Sequence, residues 1–528
     1  MTYSTMERPF PPMQHNTTHT RMQESLNIVR RGVKICVCAA LTTVAGCMVG
    51  PKYQQPPGTT EAPPAVYKES TTQFNDSAGW KVARPEDAML RGKWWTIFKD
   101  PELDGLEDEL TINNQNIKQY FENFMAARAL VAQAASQFYP TLTANGSYTR
   151  SRSPSGAAGR SAAPVTPMTA IMSSLSLSWE PDLWGKVRNA VRQAQFNAQV
   201  SNAVLENERL TEQSSLAVYF FQIRGQDALQ KLYSETVAAD KKALDYARAQ
   251  YETGVGDQIS VVEAENTLQN VQAVATGLGI ARAQYAHAIA MLVGKNPSSF
   301  SIPVRPLRAS PPAIPVGMPS QLLERRPDIA AAERSMAAAN AQVGIAYAAY
   351  FPTVTLGTQG GFESSKFSNL FSASNRLWSV GPAVSETIYD AGLRSATVKQ
   401  YIAVYNADLY AYRQAVLTGF QQVEDYLAQV RIASRELIQQ RQAEQSAEKF
   451  LKLEMARYET GIDPYVNVVT AQTTLLADQQ TVITLQIQQM TGAVQLVEAL
   501  GGGWDRSQLP SPADVSKPAP KTETTIQR

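Results

Sequence analysis

The chain has 528 residues, with 48 Lys and Arg against 47 Asp and Glu, a formal net charge of +1 and three cysteines. That balance leaves no basic excess to hold a polyanion, so no nucleic-acid partner is expected. Cys36, Cys38 and Cys47 all lie near the N-terminus, which excludes a disulfide framework for the body of the chain.

At the N-terminus, Arg30, Arg31 and Lys34 precede the apolar run Ile35 to Ala45. The run falls short of the ~20 residues a membrane-spanning helix needs. It predicts a signal peptide over residues 1–46, with an upstream extension that leaves Met22 as a second candidate start. The run closes in VAGC, and small residues directly before Cys47 resemble the lipobox of bacterial lipoproteins. Cys47 is therefore expected to become an acylated, palmitate-bearing N-terminus. Several acyl chains hold a protein on a membrane without any hydrophobic helix. Met48, standing where a retention signal would place Asp, directs such a lipoprotein to the outer membrane.

Residues 47–92 are rich in Pro, Thr and Gln and predict a lipid-anchored, extended tether. Trp94 and Trp95 are expected to pack where that tether meets the body. Two similar halves follow, a first repeat over 93–295 and a second over 325–503. A proline-rich linker, 296–324, separates them, and a flexible tail is expected over 504–528.

Within each half the periods repeat in the same order. NNQNI, from Asn113, opens an alanine-rich helix ending at SQFYP, and RRPDI, from Arg325, opens one ending at AAYFP. Alternation of period two follows: Leu142, Ala144, Gly146 and Tyr148 against Thr141, Thr143, Asn145 and Ser147; Leu175, Leu177 and Trp179 against serines. In the second half Val354 and Leu356 alternate with Thr353 and Thr355, and Trp378, Val380 and Val384 share a face, although Pro382 weakens that strand. The turns between paired strands are long and polar, as on the outside of outer-membrane barrels.

Lys186 to Glu252 contains no proline and as one helix would extend ~100 Å. Ala264, Val271, Leu278, Tyr285 and Leu292 then recur every seven residues, as do Val469, Leu476, Ile483, Met490 and Val497. Such series predict helices packed as coiled coil. The tetrapeptide YETG stands at Tyr251–Gly254 and again at Tyr458–Gly461. It marks the point where each long hairpin reverses, with Gly254, Gly256 and Gly461 at the tips supplying helix-ending turns.

These elements predict a mostly α fold with a membrane β-barrel portion, built by internal tandem repeat. Four strands cannot close a membrane barrel, because the smallest have about eight and open edges are not tolerated in lipid. Several chains must share one barrel, each adding two helical hairpins to a ring. Strand pairs placed identically in both halves argue against a plain surface coiled coil.

No HExxH, GxSxG or P-loop is present, and the GxG at Gly277 lies in a heptad helix without a preceding strand. His287 stands alone. Neither enzymatic activity nor a cofactor or metal site is expected.

CMVGPKY at Cys47, KWWTIFKDPELDGLEDEL at Lys93, GMPSQLLERRPDI at Gly317, VSETIYDAG at Val384 and the paired YETG hairpins resemble the NodT-type lipoproteins of the TolC-like outer-membrane efflux family. The resemblance implies a homotrimer with a twelve-stranded outer-membrane barrel and an α-barrel tunnel across the periplasm. It implies two further partners, a periplasmic adaptor (membrane fusion) protein and an inner-membrane pump of the resistance-nodulation-division (RND) class. Small molecules such as drugs would be the cargo; a metal-ion duct and a type I protein-secretion channel are the alternatives. It also places the periplasmic aperture just after the second turn, at Asp463, Asn467 and Thr470. Asp463 is the sole carboxylate of GIDPYVNVVTAQTTL, and a solvated helix cap is the alternative to its place at the aperture.

Overall fold

The computed structural model describes residues 48–60, 62–64, 66–70, 92–152, 167–307, 310–312, 314 and 322–517. Residues 1–46, where a signal peptide is expected, and Cys47 lie outside the described residues. So do most of the first strand–strand loop, parts of residues 61–91 and of the proline-rich linker, and residues 518–528. Two compact units result, one holding Gln137–Asn189 and Gly344–Arg394 with the chain up to Gly50, the other Pro51–Ser136, Ala190–Val343 and Ser395–Arg528.

The first unit is a four-stranded antiparallel sheet in the order β1 (Thr141–Ser151), β2 (Met168–Trp179), β3 (Thr353–Ser364), β4 (Arg376–Ser385). Its register sets Leu142 opposite Leu177 and Ala144 opposite Leu175, then Leu175 opposite Gly360 and Gly360 opposite Trp378. Opposed residues share a face, so one apolar face runs across all four strands. Leu142, Trp378 and Val380 on it are 68%, 76% and 72% exposed. The opposite face carries the row Thr143, Ser176, Gln359, Ser379. Hydrogen bonds cross it from Asn145 Nδ2 to Ser176 Oγ (2.9 Å) and from Gln359 Nε2 to Ser174 Oγ (3.2 Å). A Cβ on Gly361 would lie 2.3 Å from the Ser173 carbonyl oxygen, so this polar face closes in where glycine permits. Pro382 lies in β4, an edge strand of the chain's own sheet, where a missing N–H is tolerated.

The second unit is helical, and its two halves match in length. Helix α1 (Pro101–Asn113) precedes α2 (Gln115–Ser136, 22 residues), α3 (Lys186–Glu252, 67 residues) and α4 (Gln258–Leu292, 35 residues). The second half gives α5 (Pro327–Ala348, 22 residues), α6 (Leu393–Glu459, 67 residues) and α7 (Tyr465–Ala499, 35 residues). The C-terminal half of α3 faces α4, through Ile223 with Ile289 and the Arg248–Glu265 ion pair at 2.5 Å. Its N-terminal half shares clusters with α2 (Ala198 with Val131) and α5 (Ala203 with Ala330). One long helix is thus flanked by successive shorter ones.

Burial follows the heptads only in part. Val469, Leu476 and Ile483 are half-buried, while Val468, Val482 and Leu485 are the buried positions at the same levels. A helix flanked on two sides buries a stripe wider than one seven-residue seam.

Trp94 and Trp95 pack with Tyr67, Phe98, Phe220, Phe221, Leu103 and Val494 in the largest core cluster. The indole N–H of Trp94 donates to Gln213 Oε1 (3.3 Å). A buried ionic network ties the linker down: Arg224 pairs with Glu102 (2.5 Å) and Asp227, Asp227 pairs with Arg282 (2.6 Å), and the Arg305 N–H donates to Asp227 (2.8 Å).

The described parts of two segments expected to be loose are docked. In the tether, Tyr53 donates to Glu333, Tyr67 is buried, and the Lys68 and Glu69 N–H groups donate to the Glu424 carboxylate at 2.7 and 3.0 Å. In the tail, α8 (Pro512–Ser516), closed by a Ser511–Asp514 capping box, inserts Val515 between Val131 and Ala198. Arg128 donates to the Lys517 carbonyl (2.9 Å), and Gln199 to that of Pro510 (2.8 Å). Deleting residues 511–528 is expected to cost about 1.5–3 kcal/mol of stability, the value of burying one Val side chain. Thermal unfolding of the truncated protein would show it as a lowered midpoint.

Candidate functional site at the hairpin ends

YETG builds the same cap twice. In the first copy the Val255 N–H donates to the Gln250 carbonyl (3.0 Å) and the Gly254 N–H to that of Tyr251 (3.0 Å). In the second, Ile462 donates to Arg457 (2.9 Å) and Gly461 to Tyr458 (3.0 Å). This six-to-one and five-to-two pair is the Schellman arrangement, which requires a left-handed residue. Gly254 (φ 77°) and Gly461 (φ 74°) supply it. Thr253 and Thr460 each close the last turn by donating from Oγ1 to the carbonyls three and four residues back. Gly256 serves differently, since a Cβ there would crowd that of Gln250 at 3.0 Å.

Beyond the cap the copies diverge. Asp257 caps α4 by accepting from the Ser260 N–H (2.8 Å), a bond that holds its carboxyl below the usual range. The residue before α7 is Pro464, which caps nothing with a side chain. Asp463 is therefore not a helix cap; its carboxylate takes a two-pronged ion pair from Arg457, at 2.5 Å to Nε and 3.1 Å to Nη2. Arg457 is held more firmly protonated as a result, chiefly through that hydrogen bond. Asn467 is half-buried and its N–H donates to the Pro464 carbonyl (3.2 Å). Thr470 is exposed and donates back to the Val466 carbonyl (2.9 Å). Asn467, Thr470 and Thr474 recur at the three- and four-residue spacing that lines one face of a helix.

The repeated tyrosines also part company. Tyr251 is 48% exposed, whereas Tyr458 is 7% exposed and donates to Gln250 Oε1 (2.7 Å), joining the second hairpin to the first. Its ring packs on Tyr246 and Tyr465, with centroids 6.0 and 5.1 Å away. Ala243, Leu244, Ala247, Ala264, Leu268 and Val468 complete the cluster, so all four long helices meet here. Burial pushes the Asp240 carboxyl of α3 up to about 6, and burial, with the Asp240 charge beside it, pushes the Tyr465 phenol up to about 12. Periodicity did not reveal the Tyr458–Gln250 bond, because identical tetrapeptides give no sign of which copy is buried.

Among the described residues no group of three or more His, Cys, Asp or Glu could hold a metal, and no helix is long and apolar enough to cross a membrane. The latter statement does not concern strands.

The profile of the outer membrane efflux protein family matches residues 106–295 and 318–502. The chain belongs to that family. Like its members it is an outer-membrane channel of an efflux system and not an enzyme. The toluene efflux pump outer membrane protein TtgC of Pseudomonas putida is 28% identical over 462 residues, covering 87% of this chain and 93% of the relative. The cation efflux system protein CusC of Escherichia coli is 26% identical over 479 residues, covering 89% and 98%. Among solved structures, the outer-membrane channel OprN superposes with a TM-score of 0.77 at 25% identity, covering 87% of this chain and all of that one. The open state of the MtrE channel of Neisseria gonorrhoeae shares the fold, with a TM-score of 0.74 at 24% identity, covering 87% and 99%.

Proposed function

We propose that three copies of this chain share one twelve-stranded barrel in the outer membrane and lead efflux cargo into it through a ring of their long helical hairpins. The observation that carries the proposal is the sheet itself: four strands, two unpaired edges, an uncovered apolar face and a polar one. Lipid accepts no free strand edge, so β4 of one copy meets β1 of the next. The apolar face then meets lipid, and the Thr, Ser, Asn and Gln rows line water. Cys47, released from the signal segment 1–46, would hold each copy to the membrane by acyl chains.

The duct continues to a periplasmic adaptor and an RND-type pump, which supplies the energy. Named relatives handle toluene and other solvents, antibiotics and, in one case, cations. Small organic molecules suit this chain better than cations. Asp463, the one carboxylate of the aperture stretch, is already paired with Arg457, so a ring of three would attract cations weakly. At rest the hairpin ends are shut, with Asp463, Asn467 and Thr470 at the narrowing, Gly254, Gly256 and Gly461 at the tips, and Tyr458–Gln250 as the bond that parts on opening.

Accumulation of a fluorescent efflux substrate in cells lacking the gene, with and without the restored copy, tests the reading. Accumulation should rise on deletion and fall on restoration. No change across a broad panel of dyes, solvents and antibiotics would count against small-molecule efflux and favour protein secretion.

A further inference from the structure

We propose that the loop-bearing rim of the strand unit binds the phosphate groups of lipopolysaccharide, the glycolipid of the outer leaflet. The proposal rests on the shared-barrel reading above. Arg150 stands near the end of β1, Arg376 opens β4, and Arg152 and Lys366 follow just beyond β1 and β3. Arg150 is opposite Thr169 and Arg376 opposite Phe362, which puts both on the apolar face with Leu142, Tyr148 and Trp378. Glu363, the one carboxylate among the described residues of this rim, is opposite Met172 on the polar face.

The two ends of the sheet differ in how their charges are met. Where strands lead into helices, each cation has a carboxylate: Lys186–Glu180 at 3.3 Å, Arg188–Asp182 at 3.0 Å, and Arg394 with Glu386 (2.9 Å) and Asp390 (2.7 Å). At the loop-bearing end Arg150, Arg152, Lys366 and Arg376 are all exposed, and none forms an ion pair among the described residues. Four cations left unpaired on one rim complement a dense array of anions, and guanidinium forks match phosphate oxygens two at a time.

Position supports the same partner. From Leu142 to Arg150 the strand rises about 20 Å along the membrane normal at the tilt of such barrels, close to the ~25 Å apolar band they present to lipid. Arg150 therefore reaches headgroup level. Within one copy β1 and β4 are three strand spacings apart, about 14 Å, whereas across a closed seam they are one spacing apart, about 4.8 Å. The seam gathers Arg150 of one copy beside Arg376 of the next, and a bound phosphate relieves their repulsion.

The experiment uses the full-length protein, purified in detergent and stripped of lipid. Native mass spectrometry counts chains and bound lipid in the same spectra as bisphosphorylated lipid A, enzymatically dephosphorylated lipid A or phosphatidylglycerol is added. Wild type should hold bisphosphorylated lipid A at least tenfold more tightly than either control lipid. Arg150→Ser with Arg376→Ser should lose that preference, and Arg150→Lys with Arg376→Lys should keep part of it; Arg376→Ser alone serves if the double variant fails to assemble. Equal binding of the dephosphorylated lipid, equal binding of phosphatidylglycerol, or an undiminished preference in the serine variant would each overturn the proposal. A lipid-free ring separates that failure from failure of the shared barrel, which would appear as single chains.

Discussion

Tyr458→Phe is expected to raise the open-to-closed ratio of reconstituted channels by about two orders of magnitude. The substitution keeps the ring packed against Tyr246 and Tyr465 and removes the hydroxyl that donates to Gln250 and also meets Ser260. A hydrogen bond of this kind contributes about 1 kcal/mol net, and in the proposed ring three copies opening together would lose three of them, about 3 kcal/mol against 1.4 for each factor of ten. Gln250→Leu should do the same. Single-channel recording reads the effect directly: longer open times with unchanged conductance of the fully open state. Unaltered open times in both variants would show that the two hairpins part somewhere else. Asp463→Ala is expected to do less, because a solvent-screened ion pair contributes little and this one lies within a single turn.

Glu107→Leu is expected to stabilise the protein. In DPELDGLEDEL, Glu107 falls four residues after Leu103 and three before Leu110, on the buried stripe of α1. It is fully buried, and among the described residues neither carboxyl oxygen finds a hydrogen-bond partner. Burial first, then the charges of Asp108 and Asp104, drive its pKa well above the ordinary 4.5. The folded chain thus binds this proton more tightly than the unfolded chain. Stability from this site is fullest below about pH 4.5 and is lost as pH rises through the folded-state value. Leucine removes the penalty, so the gain should be smallest near pH 4 and reach about 1–3 kcal/mol at alkaline pH, the usual cost of an unsatisfied buried polar group. Unfolding midpoints of wild type and variant compared from pH 4 to 9 would check it. A gain that does not grow with pH would mean the carboxyl is satisfied in solution.

The period-two segments were legible because the two faces of the sheet meet opposite surroundings, so Leu142 and Thr143 cannot exchange places. The caps were legible because YETG needs only local bonds. The partners of Tyr458 were not, since Gln250 and Tyr465 come from other helices and only the second copy has an aromatic at the start of its returning helix. Docking of α8 rests on Val515, in a five-residue helix too short for any period, and on bonds from Arg128 and Gln199 that no sequence pattern announces. Asp463 looked like a cap on the strength of its type alone; its partner, Arg457, sits one turn before the reversal and competes successfully for the carboxylate.

The shared barrel is tested most directly at its seam, by introducing one cysteine on β1 and one on β4. Cys47 is the only native cysteine beyond residue 46, and Gly146→Cys paired with Val380→Cys, together with pairs shifted by two residues, samples the registers. Strands three spacings apart, about 14 Å, cannot be bridged within one chain, because a disulfide needs Cα atoms within about 7 Å. Oxidation in outer membranes should give covalent dimers and trimers, and nothing larger, in at least one register. Failure to cross-link in every register, or a ladder running past three chains, would contradict a barrel shared by three.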